Sequence, residues 1–88
     1  VNIVNSWSNG PVHIEWGDHQ TANVGGNNAW HSSHWTFEPV GDGYFRIRNR
    51  WQNTFLHIEW GDHTWANCSN GDPNWHSAHW SLESVGGG

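Results

Sequence analysis

Short runs of alternating apolar and polar residues recur along this chain of 88 residues. Phe45 and Ile47 alternate with Arg46 and Arg48, and Leu56 and Ile58 alternate with His57 and Glu59. Successive side chains of a strand point to opposite sides, so a period of two marks a strand with one buried face. Val12-His13-Ile14-Glu15 repeats the pattern of Leu56–Glu59. His34–Glu38 and His79–Glu83 alternate again, which predicts strands with Trp35, Phe37, Trp80 and Leu82 turned inward. Between these runs stand turn formers: Asn9-Gly10-Pro11, Gly17-Asp18, Gly25-Gly26-Asn27-Asn28, Gly41-Asp42-Gly43 and Asn70-Gly71-Asp72-Pro73. No segment carries a helical period of useful length. The pattern therefore predicts an all-β chain with helix content near zero.

The runs themselves repeat. His13-Ile14-Glu15-Trp16-Gly17-Asp18-His19 returns unchanged as His57-Ile58-Glu59-Trp60-Gly61-Asp62-His63. Ala22-Asn23 returns as Ala66-Asn67 at the same offset. From Trp30-His31-Ser32, matching Trp75-His76-Ser77, the offset is one residue longer, so the second copy holds one extra loop residue. His34-Trp35 matches His79-Trp80, Glu38 matches Glu83, and Ile3, Asn5 and Trp7 match Ile47, Asn49 and Trp51. The division is residues 1–43 and 44–88, each read as four short strands. Together they make one β domain or part of a shared one. The glycines Gly86–Gly88 read as a flexible tail or an open connection.

Composition sharpens this picture. A chain so short buries a small share of its surface and needs extra stabilisation. The lone Cys68 cannot form an intrachain disulfide, so the nine Trp supply much of the apolar payload. Cys68 stands opposite Val24 in the repeat, which suggests a small buried position; exposed, it would be free to link chains. Net charge is −5 with His neutral, and protonating all eight His would reverse its sign. Arg46, Arg48 and Arg50 are the whole basic complement, too little for a nucleic-acid footprint. No apolar run is long enough to span a bilayer as a helix. The chain opens on Val1 without a signal peptide, as expected of a processed form or a fragment. Asn67-Cys68-Ser69 is an N-glycosylation triplet of a kind common by chance.

The second copy resembles a β-trefoil repeat of the ricin B-chain-like type. The resemblance rests on Tyr44-Phe45-Arg46-Ile47-Arg48-Asn49-Arg50-Trp51, then Leu56-His57-Ile58-Glu59, then His79-Trp80-Ser81-Leu82-Glu83. The family's closing Gln-x-Trp stands here as Ser33-His34-Trp35 and Ala78-His79-Trp80. The resemblance implies an extracellular, non-catalytic, lectin-like module built from trefoil repeats. A trefoil needs three repeats and this chain has two. Completion by oligomerisation follows, either as a trimer making two trefoils or as an open filament. The alternative architecture is a two-motif Greek-key sandwich of the βγ-crystallin kind, whose calcium-site pattern is only approximated by Asn27–Ser33.

Three functional readings stand side by side. In the first, Trp16, Asp18, His19 and Asn23, with Trp60, Asp62, His63 and Asn67, bind carbohydrate: a carboxylate meets hydroxyls while an indole stacks on the apolar sugar face. The competing reading of Asp18 and Asp62 is a turn closed by an Asx hydrogen bond. In the second, the chain is a self-assembling structural protein, with Trp30, Trp65 and Trp75 at the seam. In the third, His13 with Glu15 and His57 with Glu59, joined by His19 or His63, hold zinc or copper. His31/His34 and His76/His79 are further pairs able to converge from a turn. The bland reading of all eight His is polar surface and Trp stacking, and of the Glu residues a solvated face. No nucleophile elbow, phosphate loop or zinc-protease motif is visible, so we expect neither enzyme activity nor a cofactor. The expected partners are other copies of the chain and glycans.

Overall fold

The computed structural model describes residues 1–86, so the expected tail lies, beyond Gly86, outside the described residues. Six strands are formed: β1 (Val12–His13), β2 (Asn23–Val24), β3 (Trp35–Gly41), β4 (Tyr44–Asn49), β5 (Phe55–His57) and β6 (Asn67–Ser69). β1 and β2 make a two-stranded ribbon, and β3-β4-β5-β6 is a four-stranded antiparallel sheet. Single 3-10 turns at His31–Ser33 and His76–Ala78 are the described helical segments, so the all-β expectation holds.

β3 and β4 form the longest ladder, with Phe37 opposite Ile47 and Glu38 opposite Arg46. Asp42 and Gly43 join them with positive φ, 55° and 81°. A type I′ turn needs left-handed backbone at both central residues, which an Asp-Gly pair tolerates. The sheet's outer face carries a cluster that alternation alone does not reveal. Arg48 donates from Nε and Nη2 to Glu38 at 2.9 and 3.2 Å. Its guanidinium also lies 4.2 Å from the centroid of the Phe55 ring. The hydrogen bond from Arg48 holds the Glu38 carboxyl below its ordinary range.

The core is Ile14, Trp35, Ile47, Leu56 and Cys68, flanked by Ile3, Val12, Ala22, Phe37, Ala66 and Trp80. Aliphatic residues alone could not fill it. Two Trp close the two halves in the same way. Trp35 exchanges backbone hydrogen bonds with Val1 at 2.8 and 2.9 Å, and its indole Nε1 donates to Val12 O at 2.9 Å. Trp80 does so with Phe45 at 2.7 and 2.8 Å, its Nε1 donating to Leu56 O at 3.0 Å. Each pair of partners is related by the sequence offset. The Asn5 and Asn49 side chains likewise each accept two backbone N–H groups of the following turn.

The halves differ at their closing segments. The strand expected over His79–Glu83 does not form; only the isolated bridge of Trp80 to Phe45 is present. Leu82, expected inward, is 66% exposed, and Val85 is 97% exposed. Their counterparts Phe37 and Val40 are half-buried, Phe37 in register with Ile47 of β4. The opening segment around Val4 is also reduced to one bridge, with Pro11. The expected four strands per half are therefore six in all among the described residues. Cys68 is buried as expected, which removes it as an interchain link, and burial pushes its thiol up to about 12.

Trp35→Ala should cost about 3–5 kcal/mol, because it opens a core cavity and leaves the Val12 carbonyl without its donor. Trp7→Ala, at a fully solvated ring, should fall within about 0.5 kcal/mol of the parent. Urea titrations of the two variants check this contrast.

Candidate functional site

His13 and His57 do not lie on a solvated strand face. They are 0% and 1% exposed. The strands end at these residues, and two indoles close over each imidazole. Trp16 and Trp30 meet His13 edge-on at centroid distances of 4.4 and 5.6 Å. Trp60 and Trp75 meet His57 at 4.8 and 5.5 Å. Trp30 and Trp75, expected at an assembly seam, are half-buried and clamp these imidazoles. Both clamps require glycine opposite them: a Cβ on Gly26 or Gly71 would overlap the Trp30 or Trp75 ring.

Hydrogen bonds fix the state of both imidazoles. The backbone N–H of Glu15 donates to His13 Nδ1, and that of Glu59 to His57 Nδ1, each at 3.0 Å. An Nδ1 that accepts holds no proton, so the ring is neutral with hydrogen on Nε2. His57 Nε2 lies 2.7 Å from Ser69 Oγ and donates to it. His13 Nε2 is buried without a hydrogen-bond partner, because Gly25 stands where the second half has Ser69. Burial lowers the pKa of both rings.

This arrangement argues against the metal assignment of His13, Glu15, His57 and Glu59. The Nδ1 atoms are engaged, and Glu15 and Glu59 are half-buried acceptors for Ser32 Oγ and Ser77 Oγ at 2.8 and 2.7 Å. Among the described residues, no three His, Cys, Asp or Glu side chains gather where they could hold an ion. His31 with His34 and His76 with His79 do lie together as expected, their ring centroids 5.9 Å apart. His34 bridges the Asn28 carbonyl at 2.9 Å and Arg50 Nη1 at 3.1 Å. His19 packs on Trp51.

The eight carbohydrate candidates separate into builders and open groups. Asp18 Oδ1 accepts from the Gln20 and Thr21 N–H groups and Oδ2 from Thr21 Oγ1, so both its oxygens close a turn. Those backbone bonds lower its pKa. Asn23 and Asn67 each bond the carbonyl two residues back at 3.0 Å, and Asn67 is buried, which also removes it as a glycosylation acceptor. His19 and His63 supply left-handed turn backbone at φ 60° and 67°. Asp62 differs from Asp18. Its Oδ1 accepts from the N–H and Oγ1 of Thr64, which lower its pKa, whereas Oδ2 accepts no hydrogen bond among the described residues.

Asp62 also lies in a groove of about 400 Å³ lined by Trp60, Gly61, Asp62, Trp65 and Asn67. Trp65 is 65% exposed and forms the second aromatic wall. The first half has Thr21 where the second has Trp65, so Trp16 and Asp18 lack this wall. The repeat concealed this difference, because the identical heptapeptide ends before it.

No protein-family model and no curated protein matches the chain. Among solved structures the chain is similar to the designed 3-fold symmetric protein ThreeFoil, with a TM-score of 0.74 and 20% identity. The match covers 96% of this chain and 64% of that one. The fold is thus of β-trefoil type, and the chain spans just under two thirds of its structural neighbour.

Two outcomes follow from the imidazole clamps. A neutral-locked His has a folded pKa below the ordinary 6.5. Its stabilising contribution is complete above that value and is lost as pH falls below it toward the folded pKa. The urea midpoint should be flat above neutral pH and fall below about 6.5, before the carboxylates titrate. Gly71→Ala should displace Trp75 from His57 and destabilise by about 1–3 kcal/mol, read in the same titration.

Proposed function

We propose that the chain is a non-catalytic, extracellular, lectin-like β-trefoil module that works as a homo-oligomer. The groove between Trp60 and Trp65 is its carbohydrate site. The observation that carries this reading is the pairing of two solvent-facing indoles with a carboxylate that keeps one oxygen uncommitted. A pyranose offers an apolar face of C–H groups and a rim of hydroxyls. The indoles suit the first, and Asp62 Oδ2 suits the second as a charged acceptor. Trp60 is braced from behind by His57, so one wall of the groove is held in place before any sugar arrives. Such pre-organisation lowers the ordering cost of binding. Asn67 acts from below by holding the Trp65 carbonyl rather than by touching sugar.

A second reading, structural self-assembly, draws on the exposed apolar residues Val1, Val4, Leu82 and Val85. It is compatible with the first, since oligomerisation would multiply a weak site.

A glycan array followed by titration of tryptophan fluorescence tests the site. The parent should bind saturably. Asp62→Ala combined with Trp65→Ala should weaken binding about tenfold or more, a loss on the order of 1.4 kcal/mol. Asp18→Ala should leave affinity within about twofold, since Asp18 only closes its turn. Absence of binding on the array, or binding indifferent to the double substitution, would contradict the assignment.

A further inference from the structure

A second cleft shares no residue with the Trp60–Trp65 groove. Its volume is about 480 Å³, and Val40, Gly41, Asp42, Tyr44, His76 and His79 line it. One wall is the hairpin between β3 and β4, and the other is the 3-10 turn His76–Ala78 with His79 behind it. The two walls are braced against each other. Phe45 and Trp80 exchange backbone hydrogen bonds at 2.7 and 2.8 Å, and Tyr44 and His79 directly precede them in the chain. The hairpin also presets its own side. The register slips between Pro39 and Gly41, and a bulge of this kind re-aims the side chains beside it. The left-handed backbone of Asp42 and Gly43 then fixes the tip. A Cβ added to Gly41 would meet nothing within 4 Å, so the backbone there is open to a ligand.

The polar groups of the cleft are largely uncommitted. Among the described residues, the one side-chain hydrogen bond made by Asp42, Tyr44, His76 or His79 runs from His79 Nε2 to the Pro73 carbonyl, at 3.0 Å. A carbonyl only accepts, so in the neutral ring Nε2 carries the proton and Nδ1 offers a lone pair. Tyr44 is 46% exposed, and Asp42 and His76 are exposed as well. The cleft thus presents an aromatic ring, a carboxylate and two imidazoles held 5.9 Å apart.

This set selects a ligand class. A metal ion lacks a third protein ligand among the described residues. An anion would meet the Asp42 carboxylate, and no Arg lines the cleft to offset it. A wholly apolar ligand would strip water from Asp42 and His76 and give nothing back. A neutral saccharide meets every group. Its C–H face suits the Tyr44 ring, its hydroxyls donate to Asp42, and the imidazoles donate or accept at its rim. We propose that this cleft is a second carbohydrate site, for a neutral saccharide, held by Asp42, Tyr44, His76 and His79. The proposal extends the carbohydrate reading of the chain but uses no residue of the first groove, so either site can fail alone. Two sites on one chain raise its avidity for a branched or clustered glycan.

The test titrates the nitrogen-15-labelled full chain at neutral pH with galactose, mannose, N-acetylglucosamine and glucuronate, followed at each backbone amide by NMR. At least one neutral sugar should give saturable shifts at Gly41–Tyr44 and His76–His79. Glucuronate should bind there about tenfold more weakly than that sugar, or not at all. Asp42→Asn combined with Tyr44→Ala should weaken the hairpin response about tenfold or more and leave the Gly61–Trp65 response unchanged. Both side chains are exposed, Asn tolerates the left-handed turn, and unaltered amides elsewhere report an intact fold. Asp62→Ala combined with Trp65→Ala should leave the hairpin response within about twofold. Shifts confined to Gly61–Trp65 overturn the second site and leave the first. Shifts confined to the hairpin and the 3-10 turn overturn the first site and leave the second. Absence of saturable shifts with all three neutral sugars, or glucuronate binding at the hairpin as tightly as they do, overturns the proposal.

Discussion

Trp35 and Trp80 are the interaction on which the rest depends. Each ties the end of a half to its beginning by a pair of backbone hydrogen bonds, and each anchors its indole on the carbonyl of Val12 or Leu56. A small core poor in aliphatics can fold this way because one large ring does two jobs. It fills volume, and it satisfies a strand-end carbonyl that would otherwise face apolar side chains. The two Trp lead into different surroundings. Trp35 leads into β3, which finds β4. Trp80 leads into Ser81–Val85, which finds nothing among the described residues of its own chain.

The imidazole clamps are a second tier built on this one. His13 and His57 follow their strands into the interior, and Trp16 with Trp30, or Trp60 with Trp75, closes over them. Their role is architectural. Each holds the root of the Trp-Gly-Asp-His turn by accepting the next-but-one N–H, so the turn leaves the core at a set angle. In the second half this carries Trp60 and Asp62 to the surface beside Trp65. One substitution between the halves, Thr21 against Trp65, separates a plain turn from a walled groove.

Much of the fold was legible in the sequence. Alternation over Phe45–Arg48 gave a strand, and the repeat together with the family resemblance gave the trefoil-type architecture. The strands at Asn23–Val24 and Asn67–Ser69 were missed, since they are short and follow no alternation. His79–Glu83 has the right pattern for a strand and still forms none, because a strand needs a neighbour and pattern cannot supply one. The His-x-Glu pairs misled toward metal for a similar reason. Spacing puts a nitrogen near a carboxylate, but it does not show that a backbone N–H already occupies Nδ1. Of the candidate site, Trp60 and Asp62 were found by motif. Trp65 was marked for assembly, and its place beside them came only from the geometry.

The central claim is that Trp35 and Trp80 each tie the end of a half to its beginning. Amide hydrogen exchange resolved to single residues tests it most directly. The N–H groups of Trp35, Phe45 and Trp80, which bond the carbonyls of Val1, Trp80 and Phe45, should be protected to the same degree as those of the interior β3-β4 ladder. Free exchange at those three amides, under conditions where the interior ladder is fully protected, would contradict it.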